Sequence, residues 1–229
     1  VIGFAKLEVG VDTDDSGSNT FDSRLAYVGM SANNVGDLSV GRQSHPFTDN
    51  VATTASIFEV YGGSSSFSHG TRSSNSIAYS NTLGQITVDA LGVVDGSSGK
   101  DGVDSYEWSA SVDIVDGVSI SGGLAADEVN DMYYYGVGMT TEVSDDLSIA
   151  SSYTMKDAAT DLTAWEVAGS FKMLSVGYGD KEGTGAFTTV GVSHDLSADL
   201  KLYAETEMVD NEGSATDTQS WSIGTKFSF

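Results

Sequence analysis

The chain has no cysteine, a single proline, only ten basic residues and no apolar run that approaches the length of a membrane-crossing helix. Without cysteine there is no disulfide framework, thiolate metal site or thiol nucleophile. A transmembrane helix needs about 20 predominantly apolar residues. If this chain crosses a membrane it must do so as a closed β-barrel, the other structure that satisfies every backbone group in lipid. The ten bases stand against 33 acids, for a formal charge of −23. That surplus repels phosphate backbones and excludes nucleic acid as a partner. The three histidines, His45, His69 and His194, show no metal-ligand spacing and read as polar loop residues. No serine occupies a nucleophile elbow, and no Gly-rich phosphate loop runs from strand to helix. On this reading the chain is not an enzyme and requires no cofactor.

What the sequence does have is alternation. Tyr106, Trp108, Ala110, Val112 and Ile114 alternate with Glu107, Ser109, Ser111 and Asp113. Trp165, Val167, Gly169, Phe171 and Met173 alternate with Glu166, Ala168, Ser170 and Lys172. Trp221, Ile223, Thr225, Phe227 and Phe229 alternate with small or charged residues. A period of two over eight to eleven residues is the mark of half-buried strands. With 39% hydrophobic residues, there is enough apolar surface to hold a fold despite the charge. The pattern predicts fourteen strands: 2–12, 22–32, 37–43, 74–82, 85–95, 104–115, 118–127, 131–143, 147–157, 162–173, 174–182, 186–196, 199–209 and 219–229. Asp116–Gly117 between two alternating runs signals a two-residue hairpin. Connections tend to alternate between short turns and longer acidic loops, and the one long connection spans 44–73.

This layout predicts an all-β fold, a transmembrane antiparallel up-and-down β-barrel with 14 strands visible, occupying 1–229 as a single domain. Aromatic residues near strand ends fit interfacial girdles. Rival readings are a soluble sandwich or β-helix, and a soluble acidic β protein that binds calcium. Asp12-x-Asp14-x-Ser16-Gly17 has the opening of a calcium loop, but its twelfth position is Ser23 rather than glutamate.

Residues 22–43 read DSRLAYVGMSANNVGDLSVGRQ. This stretch resembles the fourth and fifth strands of the general diffusion porins of Gram-negative outer membranes. The segment Ser56–Ile57–Phe58–Glu59–Val60–Tyr61–Gly62–Gly63 looks like the porins' third loop. Arg72–Ser73–Ser74–Asn75–Ser76–Ile77–Ala78–Tyr79 looks like the opening of the next strand. The terminal Phe229 with alternating aromatics before it is similar to the porin assembly signal. The resemblance implies sixteen strands, two of them upstream of Val1 and outside this sequence.

It also implies a function: a water-filled outer-membrane channel for passive diffusion of small hydrophilic solutes and ions. Partners would be two further copies in a homotrimer, outer-membrane lipid and lipopolysaccharide. The long loop would fold into the lumen, its carboxylates facing arginines on the wall. A transverse field in a low-dielectric constriction acts strongly on passing ions. By match to the family, Glu59 and Asp49 are the loop carboxylates, and Arg24 and Arg72 the basic partners. Parity separately puts Arg24 on the inner face, opposite an outward Leu25 and Tyr27. Arg42 shares parity with Leu38 and Val40, the outward face. The resemblance offers it a subunit interface with acids of the second loop, Asp14 and Asp15 among them; otherwise the strand ends before it and the side chain is simply solvated. Glu8, Glu107, Glu166 and Glu205 are expected to line the lumen, partly offset by Lys6, Lys172, Lys201 and Lys226. The acid surplus predicts cation preference. The alternatives are a substrate-specific channel and a non-conducting structural or adhesive surface barrel.

Overall fold

The computed structural model describes residues 1–11, 21–63, 65–94, 102–213 and 216–228. Fourteen strands follow one another: β1 (Ile2–Val11), β2 (Phe21–Ala32), β3 (Gly36–Ser44), β4 (Arg72–Leu83), β5 (Ile86–Val93), β6 (Ser105–Val115) and β7 (Val118–Asp127). The second half comprises β8 (Met132–Ser144), β9 (Leu147–Asp157), β10 (Leu162–Phe171), β11 (Leu174–Lys181), β12 (Gly185–Ser197), β13 (Leu200–Asn211) and β14 (Thr218–Phe227). They form a single sheet in which every strand pairs antiparallel with its sequence neighbours. β1 and β14 each pair on one side only, so the sheet is open between them.

The connections separate by end. One end carries turns of two or three residues: 33–35, 84–85, 116–117, 145–146, 172–173 and 198–199. The other carries 12–20, 45–71, 94–104, 128–131, 158–161, 182–184 and 212–217. Asp116–Gly117 is the expected hairpin, with Gly117 at φ +76°. The hairpin expected between 162–173 and 174–182 turns two residues earlier than the predicted strand end. Lys172 and Met173 form the turn between β10 and β11, with Lys172 at φ 55°. This corrects the expectation that Lys172 lines the lumen: its side chain is exposed and lies 3.9 Å from Asp146.

The sheet is inside out relative to a water-soluble fold. Leu7, Trp221 and Ile223 are 76%, 71% and 86% exposed, and Val28, Met30, Trp108, Val137 and Val167 are also exposed. On the opposite face Ser76, Glu107, Ser109, Thr154, Glu166, Thr189 and Glu205 are buried. In β6 the alternation is complete from Ser105 to Ser109: serine and glutamate in, tyrosine and tryptophan out. Monomeric soluble proteins rarely expose a contiguous apolar patch of more than a few hundred Å². Here the apolar face runs from strand to strand, with Trp165 packed edge-on against Tyr178 in the next one.

The polar face is concave. Residues 45–71, between β3 and β4, touch strands as far away as β14. A connection of that length can do so only if the sheet wraps around it. The small core lies on this loop: Phe47, Val51 and Ala52, around a π-helical segment (Thr48–Ala52), pack on Ala125 of β7 and Tyr134 of β8.

Candidate functional site, the loop across the lumen

The loop's path is set by side chains of the wall that accept its backbone N–H groups. The Phe47 N–H donates to Glu107 on β6 at 3.2 Å. Further along, Phe67 N–H donates to Thr154 Oγ1 on β9 at 2.8 Å. Gly63 N–H donates to Glu166 on β10 at 3.2 Å. At the tip, Glu205 on β13 accepts from Glu59, Val60 and Tyr61, at 2.7, 2.9 and 3.3 Å. A carboxylate satisfies several amides at once, which suits an irregular segment with no ladder of its own. Glycine clears the space beneath. A Cβ on Gly138 would lie 2.2 Å from Thr54 Oγ1, and one on Gly177 would lie 2.9 Å from the Phe58 ring. The inward acids Glu107, Glu166 and Glu205 therefore act as docking points as well as lumen charges.

Glu59 sits at the far side, held by two cations. Lys226 Nζ on β14 donates to it at 2.8 Å and Lys201 Nζ on β13 at 3.1 Å. The Lys226 hydrogen bond, supported by Lys201, holds the Glu59 carboxyl below its ordinary range. Its contribution to docking is therefore fully present above the ordinary carboxylate pKa of about 4.3. It is lost only as pH falls through the depressed value. The tip should stay docked at pH 5 and loosen in more acid solution. Hydrogen–deuterium exchange over 57–61 across this range, compared with Glu59→Gln, checks it; a Glu59-dependent loosening between pH 5 and 6 would contradict the sign.

The predicted residues do not converge on one pair. Glu59 meets lysines, not arginines. Arg24 instead pairs with Glu8 of β1. Arg72 opens β4 with its Nε buried and without a hydrogen-bond partner. Its guanidinium and the Ser44 hydroxyl are the electrostatic neighbours of Asp49, on the first turn of the π-helical segment. Lys201 and Lys226 had been read only as general lining. Their partnership with Glu59 spans 142 and 167 residues of sequence and leaves no local signal.

The parity argument for Arg24 is corrected, although the side chain does reach the inner face. Leu25 is buried, and Tyr27 meets the inward Phe4 edge-on, so both face inward. By strict alternation Arg24 would then point out. Between β1 and β2, however, the register jumps from Glu8↔Leu25 to Val9↔Ser23. This bulge leaves Arg24 unpaired and turns its stem over Gly10. Beside Arg42 the pairing of β3 with β4 also shifts, from Gly41↔Ser76 to Gln43↔Ser73, but the extra residue there lies on β4 and Arg42 keeps its partner Ala26 on β2. β3 continues to Ser44, so Arg42 is not beyond the strand end. Its Nε donates to the Ser23 carbonyl at 2.9 Å and Nη1 to Ser74 Oγ at 3.2 Å. Asp14 and Asp15 lie outside the described residues, as do Asp12, Ser16 and Gly17 of the incomplete calcium motif.

At the loop's feet, His45 and His69 are drawn together, their rings stacked at 5.6 Å between centroids. Their distant positions in sequence gave no hint of this. His45 is almost fully buried rather than a solvated loop residue. Glu107, 3.5 Å from His69 Nδ1, holds the His69 imidazole above its ordinary pKa.

A greasy exterior, a polar concave interior and a long loop docked across it recur in one class of protein, and a family model described as Gram-negative porin matches residues 2–229. The chain belongs to the Gram-negative porin family. As a porin it lies in the outer membrane. Its fold is similar to Salmonella typhi OmpF in complex with daunomycin, at TM-score 0.79 and 12% identity, covering 98% of this chain and 84% of that one. It is also similar to in-vitro folded Vibrio cholerae OmpT in its trimer form, at TM-score 0.69 and 18% identity, covering 97% and 85%. A multiply substituted mutant of the Rhodobacter blastica porin gives TM-score 0.71 and 18% identity, covering 99% and 84%. No curated protein matches the chain by sequence.

Proposed function

We propose that this porin is a non-enzymatic, water-filled channel for passive diffusion of small hydrophilic solutes and ions, with a preference for cations. The observation that carries the reading is the docking of residues 45–71 across a polar, concave wall whose other face is apolar. On this reading residues 1–229 form one barrel domain, narrowed by the loop at about 44–73. Arg24 and Arg72 with Asp49 form one charged side of the constriction, and Glu59 with Lys201 and Lys226 the other. The net charge of −23 supports accumulation of cations at the mouth and in the lumen.

Planar-bilayer reversal potentials in a salt gradient test this. The wild type should favour cations. Glu59→Gln removes the carboxylate that bridges Lys201 and Lys226, so the reversal potential should shift toward anions. Anion preference in the wild type would refute the selectivity, and an unmoved potential in the variant would remove Glu59 from the constriction.

We further propose a homotrimer, supported by the trimeric Vibrio cholerae relative. Arg42, on the outer face and already anchored at Ser23 and Ser74, would meet Asp14 and Asp15 of an adjacent copy. Outer-membrane lipid and lipopolysaccharide would cover the remaining apolar wall.

A further inference from the structure

The two feet of the loop meet over a single wall residue. His45 directly follows β3, His69 stands three residues before β4, and Glu107 rises between them from β6. His45 Nδ1 lies 2.5 Å and His69 Nδ1 3.5 Å from the same oxygen, Glu107 Oε1. One donor atom from each residue lies within 4.8 Å of both others. All three atoms are buried and face one another as charge contacts, but none meets hydrogen-bond geometry. His45 and Glu107 are 1% and 2% exposed. A buried carboxylate oxygen shared by two imidazole nitrogens without well-formed hydrogen bonds is expensive, and a cation held by all three would satisfy them together.

We propose that His45, His69 and Glu107 bind a divalent transition-metal ion of the zinc class, which staples both feet of the loop to the wall. Two imidazole nitrogens and one carboxylate oxygen suit such an ion; calcium and magnesium take oxygen ligands. The other ring nitrogens are held as metal-binding histidines require. His45 Nε2 is 2.7 Å from Ser73 Oγ, and His69 Nε2 is 3.4 Å from Asp127 Oδ2. A carboxylate behind a ligating imidazole fixes its tautomer and orientation. Asp127 is itself immobilised by Val129 N–H, Asn130 N–H and Asn130 Nδ2, at 3.0, 3.0 and 2.7 Å. Two neutral imidazoles with the Glu107 and Asp127 carboxylates carry two negative charges, the complement of a divalent cation. His69 retains some exposure, which gives the ion a route from the lumen.

The test uses the whole chain in detergent, stripped with a chelator and titrated with Zn²⁺ by calorimetry, then with Co²⁺ followed by its visible absorption. One saturable equivalent per chain is expected, with absorption bands of a nitrogen-ligated ion. His69→Ala should weaken the affinity by about tenfold or more, and His194→Ala should leave it unchanged. Glu107→Gln should also weaken the affinity. Should that variant fail to fold because Phe47 loses its acceptor, His69→Ala carries the test, since among the described residues no backbone amide donates to His69. Absence of a saturable equivalent, or one that survives His69→Ala, would overturn the proposal.

Discussion

Replacing Glu205 by alanine should detach the tip of the loop from the far wall. The carboxylate accepts three consecutive backbone amides. Loss of a buried, charged acceptor costs about 1–3 kcal/mol for each group left unsatisfied. The tip escapes most of that cost by moving into water. The expected result is a higher and noisier single-channel conductance, with frequent sub-states, while the barrel itself stays folded. Glu205→Gln keeps the shape and one acceptor oxygen, so it should fall between alanine and wild type. A conductance indistinguishable from wild type in the alanine variant would mean that the tip is held by something other than Glu205.

Gly138→Val should displace the middle of the loop by steric exclusion. The new Cβ would overlap the Thr54 hydroxyl and crowd Ser121 Oγ on β7 at 2.8 Å and Thr54 Cβ at 2.9 Å. Strand β8 tolerates valine well, since β-branched residues suit a pleated wall, so most of the strain falls on Thr54 of the loop. Overpacking of this kind costs about 1–3 kcal/mol. Protease sensitivity of residues 45–71 should rise several-fold and conductance should change. Combining it with Thr54→Gly, which removes the obstructing side chain, should restore much of both. If the double variant behaves as the sum of the singles, the contact is not the cause.

These effects lie at contacts that sequence patterns do not express. The strands were legible because a period of two is local: each Tyr106–Glu107–Trp108 triplet states which side faces lipid and which faces the lumen. Hairpins with a glycine, such as Asp116–Gly117, were legible for the same reason. The exact residues of the turn at Lys172–Met173 were not, because Lys172 adopts a positive φ without any residue that advertises it. Glu59 stood out only through likeness to the porin third loop, and its lysine partners only as inward lining, not as its partners.

By itself, the amino-acid sequence determined that this chain forms an antiparallel sheet with an apolar and a polar face, and that a long connection follows the third visible strand. The tertiary structure decided where that connection docks and which charges it meets. Alternation is a property of neighbours along the chain. The pairing of Glu59 with Lys201 and Lys226, the bulge that turns Arg24 inward and the convergence of His45 and His69 on Glu107 exist only once the sheet has curved.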